Sequence, residues 1–360
     1  MLTKDQIAII KDYQQVSIFK RQLVKEQLDL AYSENWFNIW VPKEIGGKEL
    51  SLPEGLSLLE ELAYYDAGLA WTVTLCSGAN MFAGFIDPSF ALAIWRDSKI
   101  CLGGSGMIGG KAEWDGSTYT ISGFWKYATG APHLTYFTLN AEIWQNGEQL
   151  FNEDGTALIK SFLVHKDRVL IQYDWNSFGL EATASHSFSV EGIKVAKEHS
   201  FEIKPEKRTF DLPLYDIAFL PFAELTLWVN YCGMYRRFLD LLEKYFFESS
   251  KNPIKSKIDF KKLFKELDAK NSSFQQSYEL IISMANDLWN QTSDTSQIAH
   301  KEVLHAQIAE STRNMLIEMK KNMTQLFTYG GIRACQHDNE MNIVFRNFFT
   351  ATQHSLLNNI

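Results

Sequence analysis

The chain has 360 residues, 46% of them hydrophobic and 14% aromatic, with a formal net charge of −8. That much apolar surface offsets chain entropy and excludes a disordered protein. The acidic balance, with no basic stripe interleaved with aromatics, excludes nucleic-acid binding.

No run approaches the roughly 18 apolar residues that span a bilayer. The opening MLTKDQIAIIKDYQQ carries charges where a signal peptide has an apolar core. A soluble, cytoplasmic protein is expected. Its four cysteines, Cys76, Cys101, Cys232 and Cys335, form no CxxC pair and read as separate buried thiols.

Residues 1–99 read as a helical domain. Thr3 and Gln6 have capping-box spacing. After a break at Pro42 and Gly46-Gly47, a second helix starts at Ser51–Glu54 with Pro53 in its first turn. Asp87-Pro88 reads as the cap and first residue of a third helix ending near Trp95. Residues 100–208 change texture. The runs 118–122, 134–143, 157–164, 169–173 and 185–195 are rich in β-branched and aromatic residues, and Gly, Asn and Asp turns separate them. A small antiparallel β-barrel or sandwich is expected. From 209 to 360 helical periods return, over about 215–249, 258–290, 294–328 and 338–357, the pattern of a four-helix bundle. The fold class is α+β, mainly α.

Gly104-Ser105-Gly106-Met107-Ile108-Gly109 fits GxGxxG, but a dinucleotide site needs a helix after the glycines. Here 111–122 reads as a turn and a strand, so these glycines suit backbone packed closely on something flat. Glu302 and His305 have the spacing of a di-iron ligand pair, with no second copy in the chain. His300 and His305, five apart, point away from each other. This stretch reads as a solvated helix face, and no metal site is expected.

Two stretches carry candidate chemistry. In Gly123-Phe124-Trp125-Lys126-Tyr127-Ala128-Thr129-Gly130, strand alternation puts Tyr127 and Thr129 on one side, able to cover a planar ring and donate a hydrogen bond to it. On the last helix, Arg346 and Thr350, and Thr350 and His354, are spaced to share a face.

Together these stretches resemble the acyl-CoA dehydrogenase superfamily, over nearly the whole chain. Pro42–Gly47 resembles its Pro-x-x-x-Gly-Gly turn, and Glu60-Glu61-Leu62-Ala63 with Asp66 its "EELA..D" helix. Gly123 to Ala141 resembles its central strand pair, and Tyr329-Gly330-Gly331 its Gly-Gly turn before the last helices. The branch of two-component flavin monooxygenases is the more similar. Its Gly-x-Trp-x-aromatic-x-Ser/Thr-Gly turn corresponds to Gly123, Trp125, Tyr127, Thr129 and Gly130, and its Arg-Asp-x-x-x-Ala-x-x-His helix to Arg346, Asn347, Ala351 and His354. Asn347 stands for the usual Asp and Thr129 for the more usual Ser. The stretch 247–252 lacks the Arg-x-x-Phe-Gly segment with which dehydrogenases grip the flavin pyrophosphate.

The resemblance implies an N-terminal helical domain, a central β domain and a C-terminal four-helix bundle. It also implies the oxygenase component of a monooxygenase acting on a small aromatic or heteroatom substrate. Reduced FAD or FMN would come from a separate flavin reductase. Tyr127, Thr129, Gly130, Trp125, Met107, Ile108 and Arg346 would face the cofactor, with Thr129 donating to the ring. His354, near neutral in its ordinary pKa, would be the catalytic base. A homotetramer or dimer is implied through the bundle, where Leu225, Leu227, Trp228, Leu288, Trp289, Leu326 and Phe327 offer apolar surface. Two alternatives stand. One is an acyl-CoA dehydrogenase with Glu224 as base, since the other usual place for that carboxylate falls at Ser355. The other is a scaffold or binding protein of this fold without flavin.

Overall fold

The computed structural model describes residues 1–292 and 298–357. Its first helices begin where capping chemistry puts them. Thr3 accepts from the Gln6 N–H while the Gln6 side chain accepts from the Thr3 N–H, opening α1 (Lys4–Lys20). The same exchange between Ser51 and Glu54 opens α3 (Leu52–Tyr65), after the short α2 (Lys25–Ser33). Such a cap is worth about 0.5–2 kcal/mol. Asp66 accepts from the Gly68 and Leu69 N–H groups at the start of α4 (Ala67–Asn80), and Asp87 caps α5 (Pro88–Ile94). Almost every residue of α4 is buried, so this helix has no polar face and no legible stripe.

The middle of the chain forms one eight-stranded sheet: β1 (Leu102–Trp114), β2 (Thr118–Ala128), β3 (Tyr136–Gln145), β4 (Glu148–Gln149), β5 (Ile159–His165), β6 (Leu170–Gln172), β7 (His186–Ala196) and β8 (Ser200–Phe201). The order is β6-β7-β2-β1-β3-β5-β8, with β4 on β3. An all-antiparallel arrangement is not what forms. β2 folds back along one side of β1, and β3 reverses again onto the other side, so β1 and β3 run parallel. The sheet is mixed.

The glycines of β1 do pack on something flat, and it is the chain's own Trp125. A Cβ on Gly109 would lie 2.3 Å from the Phe124 carbonyl oxygen and 2.6 Å from the Trp125 ring. One on Gly104 would meet the Thr138 carbonyl oxygen at 1.9 Å. The Trp125 indole is wholly buried, stacks on Phe188 at 5.4 Å and donates from Nε1 to the Asn140 carbonyl (2.9 Å). Gly109→Ala should therefore destabilise the fold by about 1–3 kcal/mol, the usual cost of overpacking a tight core. Thermal or denaturant unfolding measures it, and unchanged stability would contradict this close packing.

The C-terminal half consists of α6 (Phe219–Ser250), α7 (Phe260–Asn290), α8 (Ile298–Phe327), the short α9 (Gly331–Ala334) and α10 (Glu340–Ala351). Residues 294–297 of the helix expected over 294–328 lie outside the described residues. The last helix stops at Ala351 rather than continuing to 357, with Thr352 as its cap. Five of the residues expected to be spare apolar surface are core instead: Leu225, Leu227, Trp228, Leu288 and Leu326 are buried within the chain. Trp289 and Phe327 pack partly buried against that core. The bundle, the first helices and the inner face of the sheet share one continuous core. No helix among the described residues is long and apolar enough to cross a membrane.

Candidate functional site

At the end of β2 the pairing with β7 slips. Trp125 faces Phe188 but Ala128 faces His186, so β2 carries one extra residue there. Tyr127 lies in this bulge at φ +69°, a conformation uncommon for an aromatic residue and typical of strained functional segments. The bulge breaks the alternation expected of a regular strand. Tyr127 is 61% exposed, edge-on to Trp175 at 6.2 Å, whereas Thr129 turns inward and is 6% exposed. They do not share a side. β1 has its own irregularity between Gly104 and Ile108, and it leaves Met107 and Ile108 uncovered. Phe178 and Phe349 are also exposed, 6.1 Å apart.

A line of hydrogen bonds joins the β2 bulge to α10. The Asn347 side-chain oxygen accepts from the Leu180 N–H (2.7 Å), and the Gly130 N–H donates to the Thr183 carbonyl (2.8 Å). Between them runs a chain of hydroxyls. Thr183 Oγ1 donates to the Leu180 carbonyl (2.9 Å), and Ser185 lies 2.8 Å from Thr183 and 2.9 Å from Thr129. Each hydroxyl has one proton. With Thr183 committed to a carbonyl, Ser185 donates to Thr183 and Thr129 donates to Ser185. The expected role of Thr129 as a donor to a ring is thereby corrected: its proton is spent inward, and only lone pairs remain. The same geometry accounts for Asn347 in place of Asp. A single acceptor oxygen is needed, and an amide supplies it without burying another charge.

Two further expected cofactor contacts are structural. The Trp125 side chain lies inside the sheet core, as described, and can support the bulge only from behind. Arg346 is buried against Glu181 as an ion pair, and also donates to the Phe178 carbonyl (2.7 Å) and Asn342 Oδ1 (2.8 Å). Its charge is neutralised by Glu181, and Nε and Nη1 are committed to protein acceptors.

His354 sits beyond α10, in a turn where its N–H donates to the Ala351 carbonyl (3.1 Å). It therefore does not share a helical face with Thr350 or Arg346. Its ring stands edge-to-face against Trp71 of α4, with centroids 5.9 Å apart. Among the described residues it has one side-chain hydrogen bond, a long one from the Leu356 N–H to Nδ1 (3.3 Å). Burial alone lowers its pKa from 6.5, so the neutral imidazole prevails at neutral pH. Nearby on α10, the Thr350 hydroxyl is buried without a hydrogen-bond partner among the described residues. The Tyr231 hydroxyl holds this end of the helix by donating to the Ala351 carbonyl (3.0 Å).

Glu224 is in the first turns of α6, buried and paired with Arg313 (2.6 Å). Burial raises its pKa and Arg313 offsets part of that rise. A carboxylate so engaged is poorly placed to abstract a substrate proton. Glu302 is exposed, but His305 is half-buried with Nε2 unpartnered among the described residues, so the helix face there is less solvated than expected. The His300 side chain lies outside the described residues. Cys76 and Cys101, expected to be separate thiols, meet beside His133.

Several site residues escaped the sequence reading. Thr183 and Ser185 form a small-hydroxyl pair in the turn before β7, where no strand or helix period marks them. Trp71 gave no signal, because nothing distinguishes one buried aromatic in an all-buried helix. Glu181 became significant only through its contact with Arg346.

No family model matches the chain. Its sequence is 24% identical over 235 residues to the indole-3-acetate monooxygenase of Pseudomonas putida, a match taking in 65% of this chain and 58% of that enzyme. The chain thus matches less than two thirds of that relative's length. The structure superposes on the HsaA monooxygenase from M. tuberculosis with a TM-score of 0.86 at 16% identity, covering 98% of this chain and 93% of that one. It superposes on XiaF from Streptomyces sp., solved in complex with FADH2 and glycerol, at 0.83 and 17% identity, covering 98% and 91%. The chain has the acyl-CoA dehydrogenase-like fold, in the form shared with these monooxygenase structures.

Proposed function

We propose that the chain is the oxygenase component of a two-component flavin monooxygenase. Reduced FAD or FMN would come from a separate reductase in the cytoplasm, and the substrate would be a small aromatic or heteroatom compound. The observation that carries this is the hydrogen-bonded line from Asn347 through Leu180, Thr183 and Ser185 to Thr129. It locks together the two stretches on which the resemblance rests.

The residues fit a flavin. Tyr127, Met107, Ile108, Phe178 and Phe349 offer uncovered apolar surface around the two strand irregularities. The unpartnered Thr350 hydroxyl and the free lone pair of Thr129 are polar atoms awaiting a ligand. An acceptor suits a reduced ring, which carries a proton on N5. Trp125 and Arg346 act behind this surface, holding the strand and the loop. Bound reduced flavin supplies the activation of oxygen. The chain's part is to exclude water, hold the substrate and manage its proton. Trp71 and His354 supply an aromatic wall and a neutral imidazole, which favours an aromatic substrate carrying an ionisable hydroxyl or N–H. While Nδ1 accepts from Leu356, the ring proton sits on Nε2 and can be donated to the substrate oxygen. When that long bond opens, the proton can move to Nδ1 and Nε2 accepts one.

The dehydrogenase alternative loses support from the Glu224–Arg313 pair. Oxygen uptake with a flavin reductase, NADH and an indole or phenol as substrate tests the reading. Hydroxylated product dependent on this chain is expected; flavin-dependent hydrogen peroxide alone, with every substrate offered, would contradict it.

Thr129→Val keeps the shape but removes the lone pair and the bond to Ser185. One lost buried hydrogen bond costs about 1–3 kcal/mol. Reduced flavin should bind roughly 5- to 100-fold more weakly, with more hydrogen peroxide per product, since each ~1.4 kcal/mol is tenfold. Unchanged affinity and coupling would remove Thr129 from the site.

A dimer or tetramer remains part of the proposal, on other residues than first expected. Leu280 on α7 and Val303 and Ile317 on α8 are uncovered. Obligate interfaces commonly bury more than about 2,000 Å². Light scattering should give a multiple of 41.3 kDa, and a monomer at micromolar concentration would contradict it.

A further inference from the structure

Three segments remote in sequence deliver soft ligand atoms to one point. Cys76 comes from α4, Cys101 from the residue before β1, and His133 from the helical turn Ala131–His133. A ligand atom from each lies within 4.8 Å of the other two. Both thiols are buried, and His133 Nε2 is buried with no hydrogen-bond partner among the described residues. Buried polar groups are nearly always satisfied, so an unpaired imidazole nitrogen beside two thiols marks a missing partner. The thiols are weakly engaged too. The Cys76 Sγ contact with the Thr129 carbonyl is long, at 3.7 Å.

We propose that Cys76, Cys101 and His133 bind a zinc ion. The donor set is right for it: zinc takes thiolate sulfur at about 2.3 Å and imidazole nitrogen at about 2.0–2.1 Å. Charge selects the ion as well. Two thiolates and a neutral imidazole around a divalent cation make a neutral complex, which a buried site tolerates, whereas copper(I) would leave a net negative charge. On binding, the two thiols release their protons to solvent and the imidazole nitrogen gives its lone pair to the metal. A water or the Tyr32 hydroxyl, which lies beside Cys101, completes the tetrahedron. The ion would tie α4, the entry to β1 and the turn at Gly130, where a Cβ would already stand 3.3 Å from Cys76 Sγ and 2.6 Å from the His133 ring. This site does not depend on the flavin reading.

The test uses the full chain, purified without an immobilised-metal step. Elemental analysis should find about one zinc per chain, the stoichiometry of a single closed site. Cobalt(II) added after chelation should give thiolate-to-cobalt absorption. Cys76→Ser, Cys101→Ser and His133→Ala should each weaken zinc by more than the roughly 10–100-fold that even an outer partner's loss costs. Cys232→Ser, a buried thiol elsewhere on α6, should bind as the parent does. If the three variants fail to fold, titration of the parent against a competing chelator decides. Absence of zinc and of the cobalt band in the parent would overturn the proposal. So would unaltered affinity in folded variants, or a Cys76–Cys101 disulfide with no metal. Loss of flavin binding with zinc retained would count against the oxygenase reading alone.

Discussion

His354→Ala lowers hydroxylated product by about 10²–10⁴-fold, the span that a positioned proton-transfer group contributes. Oxidation of bound reduced flavin should continue, so that the oxygen appears as hydrogen peroxide. The imidazole is edge-on to Trp71 and held by one long bond, so its removal leaves the rest of the site in place. His354→Asn should fail in the same way if the ring must accept a proton, and retain partial activity if donation suffices. The pH profile gives a second handle. Burial lowers the folded-state pKa below the ordinary 6.5. The acid limb of activity should therefore fall below pH 6.5, and shift or vanish in the Asn variant. The same displacement has a consequence for stability. As pH falls through the unfolded value, the unfolded chain takes up the proton first, so the contribution present above 6.5 is lost in acid. Equal hydroxylation by parent and Ala variant would remove His354 from the chemistry.

The largest effect on stability is expected at Arg346. Arg346→Leu leaves the Glu181 carboxylate buried without its partner, and strands the Phe178 carbonyl and Asn342 Oδ1. Breaking a buried ion pair costs about 3–5 kcal/mol. For a chain of this size that is a sizeable drop in unfolding temperature, measurable by calorimetry or denaturant titration. Adding Glu181→Gln should recover part of the loss, because it removes the orphaned charge. Flavin affinity in the folded fraction should change little. A variant of normal stability that cannot bind flavin would restore the direct cofactor role that the sequence resemblance implied.

The contrast between these residues shows where the sequence was readable. Chemistry that acts within a few residues was legible: the Thr3–Gln6 and Ser51–Glu54 boxes and the Asp87-Pro88 start are where spacing puts them. So was the run of long amphipathic helices after 214. α4 was not, because a helix buried all round has no periodicity to detect. β1 escaped because its glycines read as a loop, and their reason, the Trp125 ring and the Thr138 carbonyl, lies on other strands. The parallel pairing of β1 with β3 depends on which edge the third strand takes, and local propensity does not encode that.

At the candidate site the sequence named the residues but not the surroundings the fold gives them. Alternation placed Tyr127 and Thr129 together; a one-residue bulge separates them. Helical spacing placed Arg346 and His354 on one face; the helix ends between them, and the two residues do different work. In both cases a regular element was extrapolated through the place where it breaks, and such breaks are common beside functional sites.

The central claim, that this surface receives reduced flavin, is tested most directly by anaerobic titration of the purified chain with FAD and FMN in both redox states. The account predicts saturable binding of the reduced form of at least one flavin, tighter than its oxidised form and weakened in Thr129→Val. No binding of either flavin in either state, by a chain shown to be folded, would contradict it and leave only the fold.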